Sequence, residues 1–290
     1  MSILRSMLFV PGDSEKKMAK GGGVGADALI LDLEDSVAAS RRPIAREMIH
    51  EYLKAADRSR SELWVRINPL DTADALRDVA AVARAKPDGI ALPKCNGPAD
   101  VLQLSHYLDA LEIEHGIAQG SIGICAIATE TAAAPFTLGQ YKGAPRLRIL
   151  TWGAEDLAAA IGASSNKDAA GHYTAPYVLA RSLCLFGAHA AGVQGLDTVQ
   201  PDFRNPTKLR EECNDGRRDG FLGKIAIHPD QVAVINECFT PSEAEIAHAQ
   251  AVIDAFKANP DAGTLSLDGK MIDMPHLKQA ERVMSIARRG

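Results

Sequence analysis

Eight short apolar segments, each followed by a stretch long enough for a helix, limit what this 290-residue chain can fold into. They cover residues 6–11, 28–33, 63–67, 89–93, 122–128, 147–152, 196–199 and 224–227. Each is rich in Ile, Val and Leu in continuous rather than alternating order, as in strands buried on both faces of a parallel sheet. Between them lie segments such as 71–86 and 98–115, with apolar residues at helical spacing. Such alternation admits an open doubly wound sheet or a closed barrel. Eight is the closure number, and about 250 residues is the usual barrel size. The chain is therefore read as an α/β protein, a (β/α)8 TIM barrel over residues 1–258 with a C-terminal extension over 259–290. In the extension NPDAGT breaks the helix expected over 241–258, and a turn and a further amphipathic helix follow. A helix beyond the eighth repeat has no slot in the barrel wall, so it is expected to pack on a neighbouring subunit or cap the barrel.

Composition narrows the functional classes. Lys and Arg number 32 against 37 Asp and Glu, a net charge of −5, which lacks the basic footprint of a nucleic-acid or membrane-surface binder. No apolar run approaches the roughly 18–20 residues of a membrane span. The opening MSILRSMLFVPGD reaches a turn too soon for a secretory signal. The five cysteines are odd in number and form no C-x-x-C pair, so they read as reduced thiols of a cytoplasmic protein.

In such a barrel the reacting groups sit at the C-terminal ends of the strands. The residues just past the eight runs are rich in carboxylates, with one Arg and one Lys. Glu130 and Asp156, from adjacent strand ends, are candidates for a divalent metal site, because hard cations take one or two carboxylates and complete their shell with water and substrate oxygens. Each is equally readable as a helix-capping acid. Arg66 suits bidentate capture of a substrate carboxylate, or a salt bridge to the Asp32/Glu34/Asp35 group. That acidic group is read as orienting Arg66 and metal-bound waters rather than as a second metal site, and Lys94 as structural. The glycines of Gly21–Gly25 precede a strand instead of opening a helix, which excludes a dinucleotide fingerprint and suggests a helix-to-strand turn. His228 is read as a satisfied rim histidine.

The motifs RSMLFVPGD, ALILDLEDSV, WVRINP, ALPK, WGAEDLAA, GKIAIHPDQV, FTPSEAE and DGKMIDMPHLKQAERV, with Glu130-Thr131, occur in that order. Together they resemble the citrate lyase beta subunit-like family of citryl-CoA, malyl-CoA and citramalyl-CoA lyases. The resemblance implies a Mg2+-dependent barrel, with Mn2+ an alternative, that cleaves or forms the carbon–carbon bond between a CoA thioester and a 2-oxoacid. It places metal carboxylates on Glu130 and Asp156, the substrate-carboxylate arginine on Arg66, and a second carboxylate anchor at the Gly153-Ala154 peptides. Phe9 and Lys20 fall where relatives contact CoA, although Ser14 stands where some relatives carry a CoA-binding arginine. It also implies that the tail delivers Asp273 to a neighbouring subunit's active site, in a homotrimer or dimer of trimers, to handle the proton at the acetyl carbon. An acyl carrier protein is the alternative bearer of the thioester. The competing functions are a metal-dependent aldolase on free 2-oxoacids and a non-catalytic CoA-binding or assembly subunit.

Overall fold

The computed structural model describes residues 3–287; residues 1, 2 and 288–290, assigned above to the ends of the barrel and the extension, lie outside the described residues. The strands are β1 (Ser6–Pro11), β2 (Ala28–Asp32), β3 (Glu62–Arg66), β4 (Gly89–Leu92), β5 (Gly123–Ile127), β6 (Leu147–Thr151), β7 (Gln194–Leu196) and β8 (Lys224–Ala226). Around them run helices α1 (Glu15–Gly21), α2 (Arg42–Ala55), α3 (Ala73–Ala83), α4 (Pro98–Glu114), α5 (Ala154–Ala160), α6 (Ala175–Ala191), α7 (Pro206–Asp219) and α8 (Pro229–Phe239). Every named pairing is parallel, in the order β7-β6-β5-β4-β3-β2-β1-β8. The ring closes through Asp197, just past β7, whose N–H donates to Gly223 O at 2.8 Å while Ile225 N–H donates back to Asp197 O at 3.0 Å. The fold is a (β/α)8 barrel.

Each strand contributes to a single buried cluster that includes Met7, Ile30, Trp64, Ala91, Cys125 and Ile149, so this cluster is the barrel interior. Fully burying a side chain of this size stabilises by about 1.5–3 kcal/mol. Trp64 fits only because Gly89 faces it: a Cβ there would stand 2.2 Å from its ring. Side chains alternate along a strand, so residues two positions further along share the inward face. On β1, β2, β3 and β5 those residues are Phe9, Asp32, Arg66 and Ile127, at the C-terminal rim. Gly25, at φ 77, lies in the α1–β2 connection, the helix-to-strand turn expected there. All five cysteines are buried, and none is in a disulfide. Among the described residues no helix is long and apolar enough to cross a membrane.

The structure departs from the expected elements in four places. β7 lies earlier than 196–199, because Gly192 (φ 72) closes α6 in the left-handed region and the strand starts two residues later. The segment after β5 is a 3-10 turn, Ala134–Gln140, with Pro135 in its first turn, rather than a full helix. The expected turn of the extension is a hairpin of β9 (Thr264–Leu267) and β10 (Lys270–Asp273), closed by Asp268 and Gly269 at φ 51 and 75. These angles are those of a two-residue type I′ turn, which an Asp-Gly pair favours.

The fourth departure concerns the domain boundary. Leu4–Asn236 form one compact unit and the chain from Glu237 onward belongs to another. The second unit holds α9 (Glu243–Ala258), the hairpin and α10 (Met274–Ala287). Phe256 and Val252 of α9 bury against Ile272 and Ala280 within it, so the boundary expected at 258/259 cuts through a packed core.

Candidate active site

Parallel register dictates the first contact of the site. Asp32 ends β2 directly opposite Arg66, which ends β3. Arg66 donates from Nε and Nη2 to the two Asp32 oxygens, both at 2.7 Å. Burial opposes ionisation of Asp32, but these bonds and the guanidinium charge outweigh it and hold the carboxyl below the usual range. Burial likewise works against charge on Arg66, and Asp32 and Glu34 reverse that effect and raise its pKa. The guanidinium stands over the Phe9 ring, 4.4 Å from its centroid. Glu34 Oε2 lies 2.9 Å from Arg66 Nη1 yet finds no hydrogen-bond partner. Both readings of Arg66 therefore remain compatible with its place: it is bridged to the acidic group and it lines the cavity.

Lys94 follows β4 in the left-handed region, at φ 50. A non-glycine residue there costs on the order of 1 kcal/mol, and such strain gathers at functional sites. The unusual backbone aims its N–H at Glu130 Oε2, 2.6 Å away. Its ammonium reaches Glu34 Oε1 at 2.5 Å, Asp156 Oδ1 at 3.3 Å and Asp35 Oδ2 at 3.6 Å. One lysine thus ties the end of β4 to the acids that follow β2, β5 and β6.

Glu130 is only 5% exposed. Burial, with the nearby Asp156 charge, pushes its carboxyl up to about 8, against the Lys94 N–H, which favours the anion. The capping expected of Glu130 falls instead to Thr131, whose hydroxyl accepts from Ala134 N–H at 3.2 Å. Asp156 lies in the first turn of α5, where negative charge is favoured, so its capping reading survives alongside the other. Gly153 makes room for Glu130: a Cβ would stand 2.8 Å from Glu130 Cγ and 2.9 Å from Oε1. Its N–H donates to Thr129 Oγ1 at 3.0 Å, its carbonyl accepts from the same hydroxyl at 3.4 Å, and Ala154, at the start of α5, lines the cavity.

Arg66, Asp32, Asp35, Glu130, Asp156 and Phe9 all line one cavity of about 410 Å³, and Gly153 and Ala154 line it as well. Glu34 and Lys94 stand behind that lining. Lys20 is exposed in the last turn of α1 and does not line it. Asp273 belongs to the second unit, where it ends β10 with Oδ1 2.5 Å from His276 Nδ1. His228 stacks on Phe203 with centroids 4.3 Å apart and pairs with Asp230, the satisfied rim histidine expected. Sequence reasoning missed the apolar wall of Ile127, Trp152, Val199, Ile225 and Ile227. For Ile127 and Ile227 the signal was period-two spacing from Cys125 and Ile225 of the interior cluster, which a search for reactive side chains passes over.

The donor set fits a small hard cation. Glu130 and Asp156 offer carboxylate oxygens beside an open cavity, and a divalent charge would offset the repulsion that lifts Glu130. Among the described residues no group of three or more His, Cys, Asp or Glu is placed to hold a metal.

Comparison with known proteins agrees with the fold. Residues 5–229 match the family HpcH/HpaI aldolase/citrate lyase. The chain belongs to that family. With it, the protein is an enzyme of the carbon–carbon lyase type. It is 34% identical to the mitochondrial citramalyl-CoA lyase of Rattus norvegicus, over 98% of this chain and 86% of that one. It is 34% identical to a (3S)-malyl-CoA thioesterase of Cereibacter sphaeroides, over 98% and 94% of the two chains. The solved structure of CitE from Mycobacterium tuberculosis, in complex with magnesium, acetoacetate and coenzyme A, superposes with a TM-score of 0.81 at 32% identity. That match covers 99% of this chain and 98% of the other.

Proposed function

We propose that this member of the family is a Mg2+-dependent acyl-CoA lyase, which cleaves or forms the bond between an acetyl-CoA-type thioester and a 2-oxoacid. One observation carries the proposal: among the described residues a single guanidinium and two carboxylates, the buried Glu130 and the half-buried Asp156, share the same cavity wall, at the ends of β3, β5 and β6. The relatives named for CoA thioesters, and the magnesium and coenzyme A of the CitE complex, support the same assignment.

Glu130 and Asp156 would hold the ion, and when bound it would supply Lewis acidity to the hydroxyl and carboxylate oxygens of the acid half. Arg66, locked in place by Asp32, pairs with the substrate carboxylate through the N–H groups not used by Asp32. The Ala154 peptide at the start of α5 is the second anchor for that carboxylate. In the cleavage direction the hydroxyl passes its proton to water in the open cavity, its oxygen forms the carbonyl of the 2-oxoacid, and the carbon–carbon bond electrons pass to the thioester enolate. Asp273, supplied by the hairpin–helix unit of a neighbouring copy in a homo-oligomer, returns a proton to the acetyl carbon. Phe9 borders the path of the thioester, while the exposed Lys20 is left for the more distant CoA phosphates. A cytoplasmic location completes the proposal, with none of the five cysteines in a disulfide.

The test separates two reactions. Cleavage releases a 2-oxoacid and leaves the thioester intact, whereas the hydrolysis named for the Cereibacter relative releases free thiol. Incubation with malyl-CoA, citramalyl-CoA and citryl-CoA, with and without magnesium, should yield magnesium-dependent 2-oxoacid without equivalent thiol. Thiol release without 2-oxoacid would instead assign a thioesterase.

A further inference from the structure

The cavity wall carries information on the acid half that the reactive residues do not. Arg66 is the one cationic side chain lining it among the described residues. That guanidinium already makes two bonds to Asp32 and stands 2.9 Å from Glu34 Oε2, so its remaining N–H groups suffice for one further carboxylate at most. The lining acids are five: Asp32, Asp35, Glu130, Glu155 and Asp156. Lys94 is the other cation nearby, but it does not line the cavity, and its ammonium is shared among Glu34, Asp35 and Asp156. Most of the rest of the wall is apolar, with Ile127, Val199, Ile225 and Ile227 beside Phe9 and Trp152, while Ser36 and Thr198 add hydroxyls but no charge.

From this charge distribution we infer that the 2-oxoacid has a single carboxylate and carries on its carbonyl carbon only hydrogen or a short alkyl group. The inference rests on the lyase reading and sharpens it. With Arg66 and the magnesium proposed at Glu130 and Asp156 engaged by the first carboxylate, a second would leave water for a wall with no further cationic side chain to receive it, beside acids that repel it. A site discriminates most strongly where the wrong ligand leaves a charge unpaired. An alkyl substituent instead meets the isoleucines and valine with no polar group to desolvate. Glyoxylate and pyruvate satisfy these conditions, and oxaloacetate does not.

Two measurements on the intact protein test this. In the first, 2-oxoacid release from malyl-CoA, citramalyl-CoA and citryl-CoA is compared at saturating magnesium. The kcat/KM for one of the first two should exceed that for citryl-CoA by about 100-fold or more. Equal or faster cleavage of citryl-CoA would overturn the inference while leaving the lyase reading intact. The second measurement needs no turnover: calorimetric titration of the magnesium- and CoA-loaded protein with pyruvate, glyoxylate and oxaloacetate. At least one monocarboxylate should bind about tenfold or more tighter than oxaloacetate. Tighter binding of oxaloacetate would overturn the inference. Absence of cleavage with all three thioesters would sink the lyase reading alone, and the binding ratio would then decide the charge argument.

Discussion

Glu130 is the residue whose environment says most about the site. A carboxyl lifted from 4.5 to about 8 by burial and a neighbouring acid is held more firmly by proton in the folded chain than in the unfolded one. Between roughly pH 4.5 and 8 the folded state therefore binds the extra proton, and the stability of the metal-free protein should fall as pH rises through that window. Thermal unfolding in chelator should show this decline for wild type and a flatter profile for Glu130→Gln. Magnesium should restore wild type near pH 8 and leave Glu130→Gln unmoved; parallel responses would remove Glu130 from the metal site. Gly153 supports the same carboxylate by lacking a Cβ. Its backbone, φ −119 and ψ 118, accepts alanine, so Gly153→Ala should fold with about 1–3 kcal/mol lost to overpacking. Because the new methyl meets Glu130 Cγ and Oε1, calorimetry should find magnesium binding weakened at least tenfold, and unchanged affinity would mean that Glu130 does not ligate.

At the level of elements, what was legible in the sequence was whatever repeats. Eight apolar runs imply the barrel, and the strand-end rule places Arg66, Glu130 and Asp156 on one rim, where they line one cavity. Register was less legible: the Arg66–Asp32 pair stood only as an alternative, since opposite residues on parallel strands are set by pairing across the sheet. Lys94 was read as structural, but its left-handed backbone and N–H to Glu130 leave no mark in an ALPK motif. The hairpin is different, because Asp268-Gly269 between two short alternating segments is itself a turn signal. Gly269 holds φ 75, a region that costs a Cβ-bearing residue about 1 kcal/mol. Gly269→Ala should lower stability by about that amount in thermal or denaturant unfolding. A loss near zero would show that the turn relaxes to another type.

On the scale of the whole molecule, the remaining question is what the unit beyond the eighth repeat does. Its core of α9, the hairpin and α10 is small, yet it holds Asp273 at a strand-to-helix junction paired with His276. The cavity with Arg66, Glu130 and Asp156 lies wholly within Leu4–Asn236. If the acid that protonates the enolate comes from a neighbouring copy, the two sets of residues need not sit on the same chain. Asp273→Asn and Glu130→Gln chains should each be inactive alone, since one lacks the proton donor and the other the metal carboxylate. Mixed and allowed to exchange, they should form some sites that combine an intact Glu130 with an intact Asp273. For random assembly with one donor copy per site, an equal mixture should regain about a quarter of wild-type activity, because each required residue is intact with probability of one half and the two come from independent chains. Delivery of Asp273 within its own chain would give no recovery at any mixing ratio, because every chain then carries one defect in its own site. Exchange must be followed separately, by mass-tagged subunits, so that silence after proven mixing counts against delivery between copies.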